Sequence, residues 1–193
     1  MWREEGVDIL IAEEIKNIFT ILTLFSEEDK KKMAATARGG KFAETRVPPK
    51  LLKEYYLKEG EEYIRKHKIL DFGCGKTQVH VKALQKIGCD VVGFDLSLED
   101  SYQNLCQKYD RVLASSVLNV QPNMECLIYT LLMMYFLVKD DGIIIASYPH
   151  YPRYMNLSTE QMVGILWRYF GIKLIYKKNC TFELKKRKDV EVI

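Results

Sequence analysis

Lys68-Ile69-Leu70-Asp71-Phe72-Gly73-Cys74-Gly75-Lys76-Thr77 reads as a short hydrophobic strand that ends on an acidic residue and turns through two glycines. The pattern after it predicts a helix from about Thr77 to Ile87, with Val79, Ala83 and Ile87 on one face and Gly88 as its stop. The next apolar run, Val91-Val92-Gly93-Phe94, ends on Asp95. Together these make a strand, glycine loop, helix, strand and Asp, the part of a doubly wound α/β fold that holds an adenosine-containing ligand.

Three ligand classes use such a unit, and the residues around the glycines separate them. A dinucleotide site needs a small third residue so that helix and strand pack closely, and Gln78 stands there. A nucleoside-triphosphate loop needs Gly-x-x-x-x-Gly-Lys-Ser/Thr. Gly75-Lys76-Thr77 supplies its second half, but Leu70 occupies the place of its first glycine. S-adenosylmethionine is the third class, and Asp71 favours it. A carboxylate at the mouth of the loop repels a diphosphate, yet suits a ligand carrying an ammonium and a sulfonium. Asp95 then stands where an acceptor for both ribose hydroxyls belongs. On the bland reading, Asp71 and the glycines only make a strand-to-helix turn.

Asp71-Phe72-Gly73-Cys74-Gly75, then Gly93-Phe94-Asp95, then Tyr109-Asp110-Arg111-Val112-Leu113 resemble the ordered motifs of class I S-adenosylmethionine-dependent methyltransferases, over about residues 66 to 187. Within that superfamily, Ala114-Ser115-Ser116-Val117-Leu118-Asn119-Val120-Gln121-Pro122 resembles small bacterial and mobile-element members, some found beside DNA-modification genes. The resemblance implies a Rossmann-like doubly wound, mostly parallel sheet with a C-terminal antiparallel hairpin. It implies S-adenosyl-L-methionine as cofactor, held by Asp71, Gly73, Gly75, Asp95, Leu96 and Ser115. A cofactor-binding but non-catalytic partner or regulatory subunit is the alternative.

Working outward, residues 1–60 differ in texture from residues 61–193 and are expected to form an N-terminal helical cap on the methyltransferase-like domain. Val7 to Leu24 reads as an amphipathic helix, and Ser26 followed by Glu27-Glu28 as the capped start of a second. Ala37-Arg38-Gly39-Gly40-Lys41 is a break, and Arg46-Val47-Pro48-Pro49 an extended stretch before a helix over about Lys50 to Lys66. Beyond Lys68, strands are expected near 68–72, 90–94, 110–115 and 142–147, helices near 77–87, 123–138 and 159–170, and a hairpin over Ile172–Lys178 and Thr181–Lys186. Only about fifteen residues separate Asp95 from Asp110. That is too few for the usual helix, third strand and acidic adenine contact, so the third strand is expected to be short or missing, with Asp100 a poor substitute contact.

The 193 residues, 48% hydrophobic and 28% charged, suit one domain with an appendage and an ordinary core. No apolar stretch reaches the length of about 18 residues needed to span a bilayer, and no leader is evident. Cys74, Cys89, Cys106, Cys126 and Cys180 are widely spaced with no Cys-x-x-Cys pair, which points to a reducing cytoplasm and no structural metal. The net charge of +3 does not by itself imply nucleic acid. Lys30-Lys31-Lys32, Lys177-Lys178 and Lys185-Lys186-Arg187-Lys188 are either solvated surface or a phosphate-binding patch. Oligomeric state is not readable.

Ligands of open α/β sheets lie beyond the carboxyl ends of the strands, so four loops should meet: Asp71 to Thr77, Asp95 to Asp100, Ser115 to Pro122 and Tyr148 to Tyr154. Methyl transfer is an in-line displacement that needs positioning, plus a base if the acceptor must lose a proton. His150 is the candidate base, set against a plain surface histidine. Tyr148, Tyr151 and Tyr154 either wall an aromatic pocket or pack the loop. Asn119 either hydrogen-bonds the acceptor or caps the helix after Pro122. His67 and His80 read as structural. The resemblance implies, from position in that fold, that Arg38, Lys41 or Arg46 of the N-terminal segment could close over the cofactor carboxylate. There is no Asn/Asp-Pro-Pro-Tyr/Phe and no Pro-Cys pair on the fourth strand, which argues against two common nucleobase chemistries. The acceptor, nucleic-acid-linked or a small molecule, stays open. Gly73 is expected to admit the ligand without being demanded by the fold.

Overall fold

The computed structural model describes residues 3–34, 66–148, 152–176, 180–187 and 189. The expected break at Ala37–Lys41, the extended Arg46–Pro49, the helix over Lys50–Lys66 as far as residue 65, and Arg38, Lys41, Arg46, His150, Tyr151, Lys177, Lys178 and Lys188 lie outside the described residues.

Two N-terminal helices, α1 (Arg3–Leu24) and α2 (Glu27–Ala34), precede strand β1 (Lys68–Phe72). Then follow α3 (Val79–Lys86), β2 (Asp90–Phe94), β3 (Tyr109–Ala114), α4 (Met124–Leu137), β4 (Val138–Ser147), α5 (Thr159–Leu166), β5 (Phe170–Tyr176) and β6 (Thr181–Lys186). The strands form one sheet in the order β2-β1-β3-β4-β6-β5. β1 to β4 run parallel, and β6 runs antiparallel to both its neighbours. This is the Rossmann-like sheet with a terminal antiparallel hairpin that the motifs imply. The missing third strand is equally plain. Between β2 and β3 the described chain makes only a 3-10 turn, Glu99–Leu105, leaving β2 as the sheet's edge.

Alternation along the strands sends successive side chains to opposite faces. Ile69, Val91, Leu113, Ile143 and Ile145 form one cluster with Val81 and Leu84 of α3. Leu70, Val112, Ile144 and Phe182 form the other with Leu127, Leu131 and Met134 of α4 and Met162 and Leu166 of α5. The N-terminal helices join this second cluster through Ile18, Ile21, Leu22, Phe25 and Met33. Phe25 meets the Tyr129 ring edge-on at 5.6 Å. Ser26 caps α2 as its sequence suggests, its hydroxyl oxygen accepting the Asp29 N–H at 3.1 Å.

The sheet also has a far end, away from the four loops. Because β6 is antiparallel, Thr181 lies opposite Ser147 at the carboxyl end of β4, and Lys186 is carried to the other end. There Lys186 pairs with Asp140 at 3.0 Å and lies over the Tyr135 ring at 4.9 Å, with burial lowering its pKa. Arg187 stacks on Trp167 at 4.3 Å and pairs with Asp189. The basic C-terminal run is thus remote from the loops, and part of it is already engaged.

Candidate active site

The glycine turn is built from β1 and β2 together. Phe94 O accepts two N–H groups, from Gly73 at 2.7 Å and from Cys74 at 3.0 Å. Gly73 has φ +77° and faces open solvent, but it is not there for a ligand alone. An added Cβ would stand 2.6 Å from Val117 Cγ2 in the loop after β3. The expectation that the fold does not need this glycine is therefore corrected. Gln78 occupies the left-handed region at φ 48°, ψ 39° and starts α3 at Val79, later than the hydrophobic pattern suggests. A dinucleotide motif would place its third small residue there.

Asp95 ties this turn to the next loop. One carboxylate oxygen accepts the Gly75 N–H at 2.9 Å, and the other accepts the Ser97 N–H at 2.9 Å and the Ser97 hydroxyl at 2.5 Å. Ser101 supports it from below, its hydroxyl oxygen accepting the Asp95 N–H at 3.1 Å. Leu96 is half-buried, and its carbonyl accepts the Tyr102 hydroxyl at 3.0 Å. A carboxylate offers about four acceptor sites, and three are taken, so Asp95 keeps capacity for one ligand hydroxyl. Asp100, by contrast, is exposed on the 3-10 turn.

Asp71 is 1% exposed and faces α3, where His80 Nδ1 stands 3.5 Å from its Oδ2. Burial raises the Asp71 pKa, while His80 opposes the shift. No hydrogen bond reaches that Oδ2. His80 therefore belongs to the site's underside.

Ser115 lies half-buried at the end of β3, and the next residue, Ser116, turns at φ 60° with its N–H on Ser147 Oγ at 3.0 Å. Asn119 does not cap the following helix. Asn123 does, accepting the Cys126 N–H at 2.8 Å. Asn119 Oδ1 is instead buried and without a hydrogen-bond partner. Tyr148 is 1% exposed, with its hydroxyl donated to Leu157 O at 2.8 Å and burial raising its pKa. It packs beneath the loop and presents no open wall.

Among the described residues, the buried side-chain atoms with no hydrogen-bond partner are Asp71 Oδ2, Asn119 Oδ1 and Thr181 Oγ1, and all three stand at the carboxyl end of the parallel strands. Such groups cost about 1–3 kcal/mol each when left without a partner.

The helix α2 meets Tyr154 and the start of α4. Its Lys30 has a raised pKa, chiefly from its hydrogen bond with Glu27, with the charges of Tyr102 and Glu99 adding to the shift. Burial, reinforced by Asp29, pushes the Cys126 thiol up to about 11. Tyr154 donates its hydroxyl to Lys32 O at 3.1 Å. This hydrogen bond fastens the loop after β4 to α2. Sequence reasoning missed Ser97, Tyr102, Val117 and Ser147. Only Ser147, two residues before Pro149 at a strand end, stands where a motif search would look.

A family model described as a methyltransferase domain matches residues 13–184. A TehB-like SAM-dependent methyltransferase from Corynebacterium glutamicum is similar in structure, with TM-score 0.50 and 15% identity over 72% of this chain and 98% of that one. A second solved structure is 1,6-didemethyltoxoflavin-N1-methyltransferase from Burkholderia thailandensis, with bound 1,6-didemethyltoxoflavin and S-adenosylhomocysteine. It covers 95% of this chain and 88% of its own, at 14% identity and TM-score 0.48. Comparison with proteins of curated function finds no match.

Proposed function

This chain belongs to the methyltransferase-domain family, the class I S-adenosylmethionine-dependent enzymes, and we propose that Asp71, Gly73, Gly75, Asp95, Leu96 and Ser115 hold the cofactor while the loops after β3 and β4 hold the acceptor. The residues fit the group. The open Gly73 turn admits close approach, Asp95 has spare acceptor capacity for one ribose hydroxyl, and Asp71, whose Oδ2 has His80 Nδ1 at 3.5 Å but no hydrogen bond, suits an ammonium. When bound, the cofactor supplies a methyl group activated by its sulfonium.

The single observation that carries the acceptor side is Asn119 Oδ1, buried and unpartnered beyond β3. An amide oxygen only accepts hydrogen bonds, so the group that meets it carries an N–H or O–H. Asn119 then orients the acceptor in line with the transferred carbon, a contribution of positioning. His150, between Tyr148 and Pro152, is the candidate base on its chemistry alone. Tyr148 acts by holding the loop through Leu157. Among the described residues no helix is long and apolar enough to cross a membrane. Cys74, Cys89, Cys106 and Cys126 are not disulfide-bonded, which supports a cytoplasmic setting.

The test is incubation of the protein with methyl-labelled cofactor and fractionated cell extract. Label entering one fraction, and entering it far more slowly with Asn119→Ala, is the expected result. A protein that binds S-adenosylhomocysteine yet labels nothing would instead be a non-catalytic partner.

A further inference from the structure

We propose that Ser97 determines how the ribose is read: in the unliganded protein its hydroxyl occupies a site on Asp95 that one of the two ribose hydroxyls takes, and cofactor binding displaces it. This rests on the assignment of Asp95 to the ribose above. Ser97 acts through Asp95 and needs no contact of its own with the cofactor.

Acceptor sites on Asp95 run short. A ribose diol brings two O–H donors, and one site is left for them. Oδ1 is full, since it accepts the Ser97 N–H at 2.9 Å and the Ser97 hydroxyl at 2.5 Å. Oδ2 accepts the Gly75 N–H at 2.9 Å and carries the free site. A second ribose hydroxyl reaches the carboxylate only if one of these three donors leaves.

Two of the three are backbone groups, and the fold holds them. The Gly75 N–H belongs to the turn that Phe94 O anchors through Gly73 and Cys74. The loop that carries the Ser97 N–H is pinned on both sides. Ser101 Oγ accepts the Asp95 N–H at 3.1 Å, the Leu98 N–H donates to Asp95 O at 2.9 Å, and the Tyr102 hydroxyl donates to Leu96 O at 3.0 Å. At the β2 edge of the sheet, the Asn104 amide donates to Gly93 O at 2.9 Å. These bonds fix the loop without help from a ligand.

The third donor is free to go. Among the described residues, the Ser97 hydroxyl has its hydrogen bond to Asp95 and no other. One rotation about the Cα–Cβ bond turns it from the carboxylate to solvent, which half-buried Ser97 reaches. The exchange balances: one O–H bond to Asp95 is broken and one is formed. With Ser97 in place, the second ribose hydroxyl therefore adds little to affinity, and a deoxyribose is rejected only weakly. With the Ser97 hydroxyl removed, two acceptor sites stand open and that ribose hydroxyl contributes in full.

The experiment is calorimetric titration of the full chain, and of its Ser97→Ala variant, with S-adenosylhomocysteine and with the 2′-deoxy and 3′-deoxy analogues. Ser97→Ala should bind S-adenosylhomocysteine about fivefold more tightly, since one hydrogen bond to a charged group no longer has to break. At least one deoxy analogue should bind parent and variant alike, so its disadvantage against S-adenosylhomocysteine grows about fivefold in the variant. Ser97→Thr, which keeps a hydroxyl, should show the parent's ratios, and alanine-like ratios there would count against displacement. Unchanged ratios for both analogues in Ser97→Ala, or equal weakening of all three ligands, would mean that the hydroxyl only braces the loop. Either result overturns this inference and leaves the cofactor reading intact. Failure of parent and variant alike to bind S-adenosylhomocysteine would sink both.

Discussion

Asp95 Oδ2 accepts the Gly75 N–H at 2.9 Å, so the residue assigned to the ribose also holds the glycine turn in place. Binding and fold are joined in one carboxylate. A hydrogen bond to a charged group contributes about 1.5–3 kcal/mol.

Asp95→Ala should therefore lower both affinity for S-adenosylhomocysteine and the stability of the unliganded protein, the latter by several degrees in Tm. Asp95→Asn, which keeps one oxygen for Ser97, should retain more of the stability than of the affinity. Calorimetric titration and thermal melts of both variants check this. Unchanged Tm in the alanine variant would show that the turn holds itself.

Gly73→Ala should destabilise the apo fold by about 2–4 kcal/mol, combining left-handed strain with the contact on Val117. Adding Val117→Ala should recover the steric part and leave the strain. A double-mutant cycle in urea measures the coupling. Strict additivity of the two substitutions would mean that Val117 is not what the new methyl group meets.

Much of this architecture is legible in the sequence, and the limits are physical. β1 and β2 end where their apolar runs do and begin one exposed polar residue before them, because both are buried on two faces and bounded by polar turns. The missing third strand follows from spacing alone. What could not be read is anything decided by the meeting of distant segments. Val117 against Gly73 is one such meeting, and Ser147 Oγ under the Ser116 N–H is another. Asn119 and Asn123 are equally good caps by type, and only the start of α4 at Met124 chooses Asn123. The two lysine runs look alike until the antiparallel β6 carries one away.

Gln78→Gly should stabilise the protein slightly. Relief of left-handed strain, about 1–2 kcal/mol, outweighs the added freedom of the unfolded chain, about 0.4–1 kcal/mol. The expected rise in Tm is a few degrees. A fall would mean that the Gln78 side chain does more than its backbone hydrogen bonds indicate.

Asp71 predicts a pH effect. Burial raises its folded pKa, so the folded state holds its proton more tightly than the unfolded chain does. Stability from this group falls as pH rises above the ordinary carboxylate range, about 4, toward the raised value. Asp71→Asn should thus melt higher than the parent at pH near 8, with the difference shrinking as pH approaches 4. It should also bind the cofactor product more weakly. A stability difference independent of pH would show that Asp71 is ionised at no cost to the fold.

The most direct measurement is a calorimetric titration of the purified protein with S-adenosylhomocysteine, with Mg-ATP as the competing ligand. The account predicts saturable one-to-one binding of S-adenosylhomocysteine, weakened by Asp95→Ala, and none of Mg-ATP. Tight Mg-ATP binding with no response to S-adenosylhomocysteine would contradict it.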